Sequence, residues 1–171
     1  MQLPGIDSRY ANGSMTEGSF EKARKGIAIP RLIDIPPGTT LYRFVDMNRG
    51  GARTHVANSP WWFEYEYFMQ VKGFAERHGH TLDHCARLFL AVLHEYSDIT
   101  GYIHARVTKP LKAWKGEGNV VYSSGKDPRD PRRMIPMQSI NKIYQLYIPG
   151  LYRDSPLLGQ AFGPIEYMRT R

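Results

Sequence analysis

One arginine stands out among the residues that can do chemistry, because of the pattern around it. Arg43 lies within Thr40–Val45, a run rich in aromatic and β-branched residues that predicts a β-strand. Asn48, Gly50 and Gly51 then mark a loop. A guanidinium on a strand that leads into a glycine-rich loop suits a bidentate, charge-assisted contact with an anionic ligand.

A second group of candidate residues follows this loop. Ser59 and Pro60 form a helix-start signal, in which the serine caps free N–H groups and the proline suits the first helical position. Three aromatic residues follow at once: Trp61, Trp62 and Phe63. A helix start beside aromatic rings suits a ligand that carries both phosphate and aromatic groups. A purely structural role for this stretch is the alternative, and it stays open at this point.

The elements that must position these residues follow an α+β order. After an irregular lead-in at residues 1–38, the patterns predict a strand at 40–45, a helix from Pro60 to about His78 and a second helix from about Thr81 to Tyr96. Further strands are predicted at 102–107, 120–122, 142–148 and 165–168, the last at a sheet edge. A partly exposed turn is predicted at 109–116, and loops at 123–133 and 151–164. This order favours a single α+β domain over a doubly wound parallel fold.

Composition is that of a globular protein with a basic surface. The chain has 171 residues, 42% of them hydrophobic, and a net charge of +7, which is enough for one domain with its own core. Between His104 and Arg133, eight basic residues outnumber three acidic ones. Such a segment favours a polyanion, an acidic protein or an anionic cofactor, and a solvated surface is the alternative.

Several other classes of protein are disfavoured. No run approaches a membrane span, and the N-terminus lacks the apolar segment of a signal peptide. The single Cys85 excludes an internal disulfide, fits a reducing compartment, and has the surroundings of a small buried residue. Three histidines, His78, His80 and His84, lack an accompanying cysteine or carboxylate pattern, so we predict no metal site. Acid–base chemistry on RNA through His55 lacks an identifiable second partner.

Taken in chain order, four features resemble the ADP-ribosyltransferase fold of bacterial toxins, especially the toxin domains at the ends of secreted polymorphic effectors. They are Arg43 on a strand, Ser59 before aromatic residues, the basic phrase KPLKAWKGEG from Lys109 to Gly118, and QLYIPG from Gln145 to Gly150. The resemblance implies a split β-sheet core at residues 39–171 with two helices in its N-terminal half. It also implies NAD as the substrate.

The resemblance implies a role for each candidate residue. Arg43 would contact the phosphates of NAD, and Ser59 would support the nicotinamide-ribose pocket, with Trp61, Trp62 and Phe63 beside the nicotinamide. Gln145 stands where the family carries a Gln-x-Glu pair on a late strand, but Tyr147 replaces the glutamate. Either Gln145 positions the substrate without a carboxylate, or Glu166 supplies one, or the activity is altered or absent.

The function expected from the resemblance is transfer of ADP-ribose to a macromolecular acceptor, such as structured RNA or an acidic protein. Simple NAD hydrolysis is a close variant. We expect a monomer that acts in the cytoplasm of a target cell after delivery by a secretion system, and that has a cognate immunity protein. The alternative from a different class is a non-catalytic nucleic-acid-binding module, in which aromatic and basic residues alternate as single-strand binders require.

Overall fold

The computed structural model describes residues 8–13, 16, 18–47, 56–90, 99–118, 121–127, 130–137 and 143–170. The helices in this part of the chain are α1 (Ser19–Ala23), α2 (Tyr65–His78), α3 (Leu82–Leu90) and α4 (Leu157–Ala161). The strands are β1 (Ile27–Ile35), β2 (Thr40–Val45), β3 (Trp61–Glu64), β4 (Gly101–Arg106), β5 (Leu111–Gly118), β6 (Val121–Asp127), β7 (Asp130–Met137), β8 (Tyr144–Tyr147) and β9 (Glu166–Arg169). None of the described helices is long and apolar enough to cross a membrane.

Seven strands form an antiparallel sheet in the order β1-β5-β8-β3-β2-β4-β9, and β6 and β7 pair separately as a hairpin. The sheet is divided at β3, because the two ends of this short strand pair with different neighbours. Trp61 and Trp62 pair with β8, whereas Phe63 and Glu64 pair with β2. The predicted α+β class is therefore confirmed, and the sheet consists of two halves that share β3.

Each face of the sheet packs a separate hydrophobic core, as strand alternation requires. On one face, Phe44 and Phe63 pack with Phe68 and Val71 of α2 and Phe89 of α3. On the other face, the buried side chains come from the sheet, α4 and the connections around it: Leu41, Trp62, Ile103, Leu146, Leu157 and Phe162. The central strands are thus covered on both sides, which holds β2, β3 and β8 in a defined arrangement.

The N-terminal residues belong to the same sheet. The segment expected to be an irregular lead-in contains α1 and the edge strand β1, which pairs with β5. The register of β1 shifts between Ala28 and Arg31, around Pro30, which has no N–H to give to a ladder. Asn12 is fully buried and bonds to the backbone of Lys112 and Pro149, so the segment before α1 is tied to the core.

The predicted helix from Pro60 to His78 was wrong at its start. Trp61–Glu64 is a strand, and α2 begins only at Tyr65. The predicted helix start was wrong because three consecutive aromatic residues also suit a strand buried between two neighbouring strands. Pairing with β2 and β8 made this segment a strand. The end of α2 agrees with the prediction, with Gly79 in the left-handed conformation at φ 65°.

Three connecting segments also differ from the predictions. The expected turn at 109–116 is mostly strand β5, in which Leu111 and Ala113 alternate into the core. Most of the loop expected at 123–133 lies in the hairpin β6–β7, and the loop expected at 151–164 contains α4. The strands predicted at 40–45, 102–107, 142–148 and 165–168 are confirmed as β2, β4, β8 and β9, with β9 at the edge. The second helix begins as predicted, and its expected end at Tyr96 lies outside the described residues.

Candidate functional site at the split in the sheet

Arg43 lies where the two halves of the sheet separate. The β2–β3 ladder consists of two pairs, Leu41 with Glu64 and Tyr42 with Phe63. At the next position along β2, no backbone pair with β3 forms, and the Arg43 side chain makes hydrogen bonds to backbone carbonyls instead. Its Nε donates a hydrogen bond to the Val56 carbonyl and its Nη1 donates one to the Trp61 carbonyl, both at 3.0 Å. The guanidinium therefore links β2 to the start of β3 and to the segment at Val56, where the two strands no longer pair.

The charge of Arg43 is not balanced by a carboxylate in the described part of the chain. Its two hydrogen bonds go to neutral carbonyl groups. Burial lowers the pKa of Arg43 to about 10, which still leaves the guanidinium charged at neutral pH. A half-buried cation without an anionic partner loses part of its hydration, and an anionic ligand with several oxygen atoms would compensate for that loss.

Ser59 is close to Arg43 in the fold but does not cap a helix. Its Oγ accepts a long hydrogen bond of 3.4 Å from the Trp61 N–H, and its carbonyl accepts one of 2.8 Å from Trp62 Nε1. The predicted cap role is therefore wrong, because the chain continues from Ser59 into β3 and α2 has no side-chain cap. Ser59 instead fixes the entry into β3 beside Arg43.

The three aromatic residues after Ser59 divide between the core and the site. Trp62 and Phe63 are buried on opposite faces of the sheet, so neither presents a ring to a ligand. Trp61 is partly exposed and makes an edge-to-face contact with Tyr147, with ring centroids 5.0 Å apart. Its ring also lies against Gly26, where an added Cβ would clash with Trp61 Cη2. Trp61 is thus the member of the trio with exposed surface beside the split.

The structure does not bring the two predicted catalytic residues together. Gln145 lies on β8, half-buried and opposite Gly116, whereas Glu166 lies on the edge strand β9. Four strand steps separate β8 from β9, which is roughly 19 Å at the usual spacing. Gln145 and Arg43 also lie on opposite faces of the sheet. Gln145 lies two residues before Tyr147, which pairs with Trp61, so it shares a face with Phe63. Phe63 pairs with Tyr42, the residue before Arg43, so Arg43 lies on the other face.

Glu166 has a different neighbour. Its Oε2 lies 3.4 Å from His104 Nε2, and its side chain is two-thirds exposed. The His104 ring packs against Tyr42, with centroids 5.3 Å apart. This pair, with an exposed Glu166 and a partly buried His104, lies at the β4–β9 edge of the sheet.

An ion pair near the split was missed by sequence reasoning. Lys115 Nζ on β5 lies 2.5 Å from Glu64 Oε1 on β3, and the two side chains are 24% and 28% exposed. The ammonium also lies over the rings of Tyr67 and Tyr144, at 5.4 and 5.6 Å from their centroids. Burial lowers the pKa of Lys115, but the contact with Glu64 and its charge outweigh this, so the pKa is raised overall. Lys115 lay within a predicted turn, so nothing in the sequence placed it next to Glu64.

The other candidate groups do not form a site among the residues that the structure describes. No group of three histidine, cysteine or carboxylate side chains is close enough to hold a metal ion there. Cys85 is fully buried, and burial followed by the nearby Asp83 raises the pKa of its thiol, as expected for a structural cysteine. A separate groove of about 350 Å³ lies between α2 and α3, and none of its lining residues is a predicted site residue: Glu66, Met69, Gln70, Phe74, Arg77 and Phe89.

Fold and site together define an α+β domain with a divided antiparallel sheet and an arginine without a carboxylate partner at the division. No protein-family model and no curated protein matches the sequence. Among solved structures, the chain is similar to Rhs1-CT in complex with its cognate immunity protein RhsI1, with a TM-score of 0.48 and 14% identity over 85% of this chain and 84% of that chain. A similarity of this size assigns no activity to the protein.

Proposed function

We propose that this protein is an NAD-consuming ADP-ribosyltransferase domain of the toxin type. The observation that carries the proposal is Arg43, a half-buried arginine at the split in the sheet with no carboxylate partner among the described residues. A pyrophosphate offers the several anionic oxygen atoms that such a guanidinium favours. The partly exposed Trp61, whose carbonyl accepts a hydrogen bond from Arg43, and the adjacent Tyr147 offer aromatic surface at the same split, on the opposite face of the sheet.

The proposed reaction breaks the N-glycosidic bond between nicotinamide and ribose C1′. The bonding electron pair leaves with the nicotinamide nitrogen, which becomes neutral, and positive charge develops on the ribose. A nucleophile on the acceptor then bonds to C1′ and releases a proton. When water is the nucleophile, the products are ADP-ribose and nicotinamide, and the protein acts as an NAD glycohydrolase. Fixed charges and a pre-positioned substrate would supply most of the acceleration.

The basic segment between His104 and Arg133 offers a positively charged surface for an anionic acceptor. Fewer of its positive charges are available than its composition indicates. Lys112 lies 2.5 Å from Asp34 and Lys115 lies 2.5 Å from Glu64, so these two positive charges are neutralised within the fold. Arg106 and Lys109 are exposed. Structured RNA or an acidic protein therefore remains the proposed acceptor, with a smaller contact surface than the sequence predicts.

We extend the proposal to the setting of such a domain. A toxin that consumes NAD must be neutralised in the cell that makes it, so the proposal includes a cognate immunity protein. It also includes delivery into the cytoplasm of a target cell. Relief of toxicity by the product of a neighbouring gene would support both points.

The competing proposal, a non-catalytic nucleic-acid-binding module, has less structural support. Trp62 is buried in the core. Trp114 Nε1 donates a hydrogen bond to Ser19 Oγ at 2.7 Å, and its ring packs against Phe20. Both rings are therefore used within the fold, whereas single-strand binders expose such rings for stacking on bases.

The test is release of nicotinamide from NAD by the purified protein, measured without an acceptor, with RNA and with a protein extract. We expect release in at least one of these reactions, and a loss of release in Arg43→Ala and Arg43→Lys. The lysine variant keeps the charge but loses the planar fork. Arg31→Ala is the matched control, because Arg31 is an exposed arginine on the edge strand β1. Absence of release in all three reactions, together with no effect of NAD on the melting temperature, overturns the proposal.

A further inference from the structure

The proposed reaction needs a carboxylate close to the developing positive charge, and β8 does not provide one. The strand reads Tyr144-Gln145-Leu146-Tyr147, without an acidic residue. Glu166, the carboxylate that sequence reasoning considered, lies on the far edge of the sheet beside His104. A carboxylate on the same face as Arg43, on a strand next to it, would meet the requirement better.

Glu64 meets both conditions. It lies on β3, the strand between β2 and β8, and it pairs directly with Leu41. Paired residues of an antiparallel ladder share a face, and Arg43 shares that face because it lies two residues after Leu41. Glu64 and Arg43 are therefore diagonal neighbours, with Cα atoms roughly 7–8 Å apart in a regular ladder.

The surroundings of Glu64 orient its carboxylate. The buried atom Oε1 has no hydrogen-bond partner of regular geometry but lies 2.5 Å from the Lys115 ammonium, and this ion pair reaches from β3 to β5 across the intervening strand β8. Among the described residues no donor is assigned to Oε2. One oxygen is thus fixed by a cation while the other is available to a ligand, and the side chain is 28% exposed, so a ligand can reach it.

Two tyrosine rings lie beside the ion pair that Glu64 forms with Lys115. Tyr67 and Tyr144 flank Lys115, and their rings pack against each other with centroids 5.8 Å apart. Flat apolar surfaces next to a carboxylate suit a positively charged aromatic group such as the nicotinamide ring of NAD.

We propose that Glu64 is the carboxylate that stabilises the positive charge on the ribose as nicotinamide leaves, and that Lys115 is the positioning residue that orients it. This inference depends on the proposed function. It assigns the catalytic carboxylate that is missing from β8, where the resemblance implied a Gln-x-Glu pair. Arg43 and Glu64 are both partly exposed on the face where Leu41 and Trp62 are buried, and they bind the pyrophosphate and the nicotinamide ribose, respectively. The carboxylate therefore comes from β3, next to the arginine strand, instead of from β8.

The test compares Glu64→Gln with two matched variants. In Glu64→Gln we expect nicotinamide release to fall by roughly 100-fold or more, while the rise in melting temperature caused by NAD is kept. Glu66→Gln removes an exposed carboxylate two residues further on and should leave release unchanged. Lys115→Gln breaks the same ion pair but keeps the carboxylate, so we expect a smaller loss, about tenfold or less.

The outcomes separate this inference from the proposed function. Active wild-type protein with a Glu64→Gln variant that keeps at least half of its activity overturns the role of Glu64 and leaves the proposed function standing. Equal losses of activity and of melting temperature in Glu64→Gln and Lys115→Gln show a structural ion pair, which also overturns the role. Wild-type protein that releases no nicotinamide and does not respond to NAD overturns both. A selective loss in Glu64→Gln, with NAD binding kept, supports the assignment.

Discussion

Arg43 donates a hydrogen bond of 3.0 Å to the Trp61 carbonyl at the point where β2 and β3 cease to pair. A side chain thus does what a backbone N–H does elsewhere in the ladder. The same guanidinium also holds the Val56 carbonyl at 3.0 Å. Because no carboxylate in the described part of the chain pairs with it, this residue links the architecture of the split sheet to the proposed binding of an anion.

The double role of Arg43 leads to a prediction about stability. Replacement by alanine leaves the Val56 and Trp61 carbonyls without their donor, and we expect a loss of roughly 1–3 kcal/mol in the free energy of unfolding. Pyrophosphate should raise the melting temperature of the wild-type protein and of Arg31→Ala, but not that of Arg43→Ala. Thermal melts with and without pyrophosphate measure both effects. An equal response of all three proteins would contradict an anion site at Arg43.

A second prediction concerns Asn12, which ties the N-terminal segment to the core. Its Nδ2 donates to the Lys112 and Pro149 carbonyls at 2.9 Å each, and its Oδ1 accepts from the Lys112 N–H at 2.8 Å. Asn12→Ala leaves these buried groups unsatisfied, so we expect a loss of roughly 2–4 kcal/mol in urea unfolding. Tyr10→Phe removes only an exposed hydrogen bond to Asp34 and should cost much less. Similar costs for the two variants would show that the N-terminal segment contributes little.

A third prediction uses two glycines in contrasting surroundings. At Gly116 of β5, an added Cβ would come within 2.5 Å of the Ala28 carbonyl oxygen, so Gly116→Ala must push β1 and β5 apart. At Gly159 in α4, nothing lies within 4 Å of an added Cβ. Alanine at this helical position should be neutral or stabilise by about 0.4–1 kcal/mol. Melting temperatures of the two variants should therefore move in different directions, and a clear loss in Gly159→Ala would contradict the packing of α4.

A fourth prediction concerns pH and the pair formed by Asp34 and Lys112. Hydrogen bonds from Lys112 and Tyr10, in that order, are the main causes that lower the pKa of Asp34, and the hydrogen bond to Asp34 raises the pKa of Lys112. Because the pKa of Asp34 is lower in the folded protein than its unfolded value of 3.8, ionised Asp34 stabilises the fold at pH values above 3.8. This stabilisation is lost as the pH falls through the pKa of Asp34 in the folded protein. Because the pKa of Lys112 is higher in the folded protein than its unfolded value of 10.5, charged Lys112 stabilises the fold at pH values below 10.5. This stabilisation is lost as the pH rises through the pKa of Lys112 in the folded protein.

The measurement is the melting temperature of the wild-type protein and of Asp34→Asn as a function of pH. The wild-type protein should be the more stable of the two between these limits, and the difference should vanish in acid and again in strong alkali. Because both partners lie at the protein surface near Arg9 and Tyr10, the difference should also shrink in high salt. A difference that is independent of pH would point to packing and not to charge.

Much of the secondary structure was predictable, because it depends on local patterns. The run Thr40–Val45 has the composition of a strand and forms β2, and the strand at 142–148 contains β8. Helices α2 and α3 follow from apolar residues at the helical period, with Gly79 between them. In these segments the local preference and the tertiary environment favour the same structure.

The composition of the candidate site was only partly predictable. Arg43 was identified because an arginine in a strand pattern is visible in the sequence. Glu64 was assigned to the first turn of a helix, where an acidic residue is ordinary, and Lys115 to an exposed turn. Their contact at 2.5 Å depends on β8 lying between β3 and β5 in the sheet. No local pattern specifies that neighbourhood.

The sequence by itself therefore determined the α+β class, the arginine strand and the order of most elements, since each depends on residues close together in the chain. Tertiary structure decided that Trp61–Glu64 is a strand, that Trp62 and Phe63 are buried on opposite faces, and that Glu64 shares a face with Arg43. The physical reason is that an aromatic run is compatible with either a helix or a strand. Pairing with β2 and β8 selects the strand, and once the strand forms, alternation fixes the direction of every side chain on it.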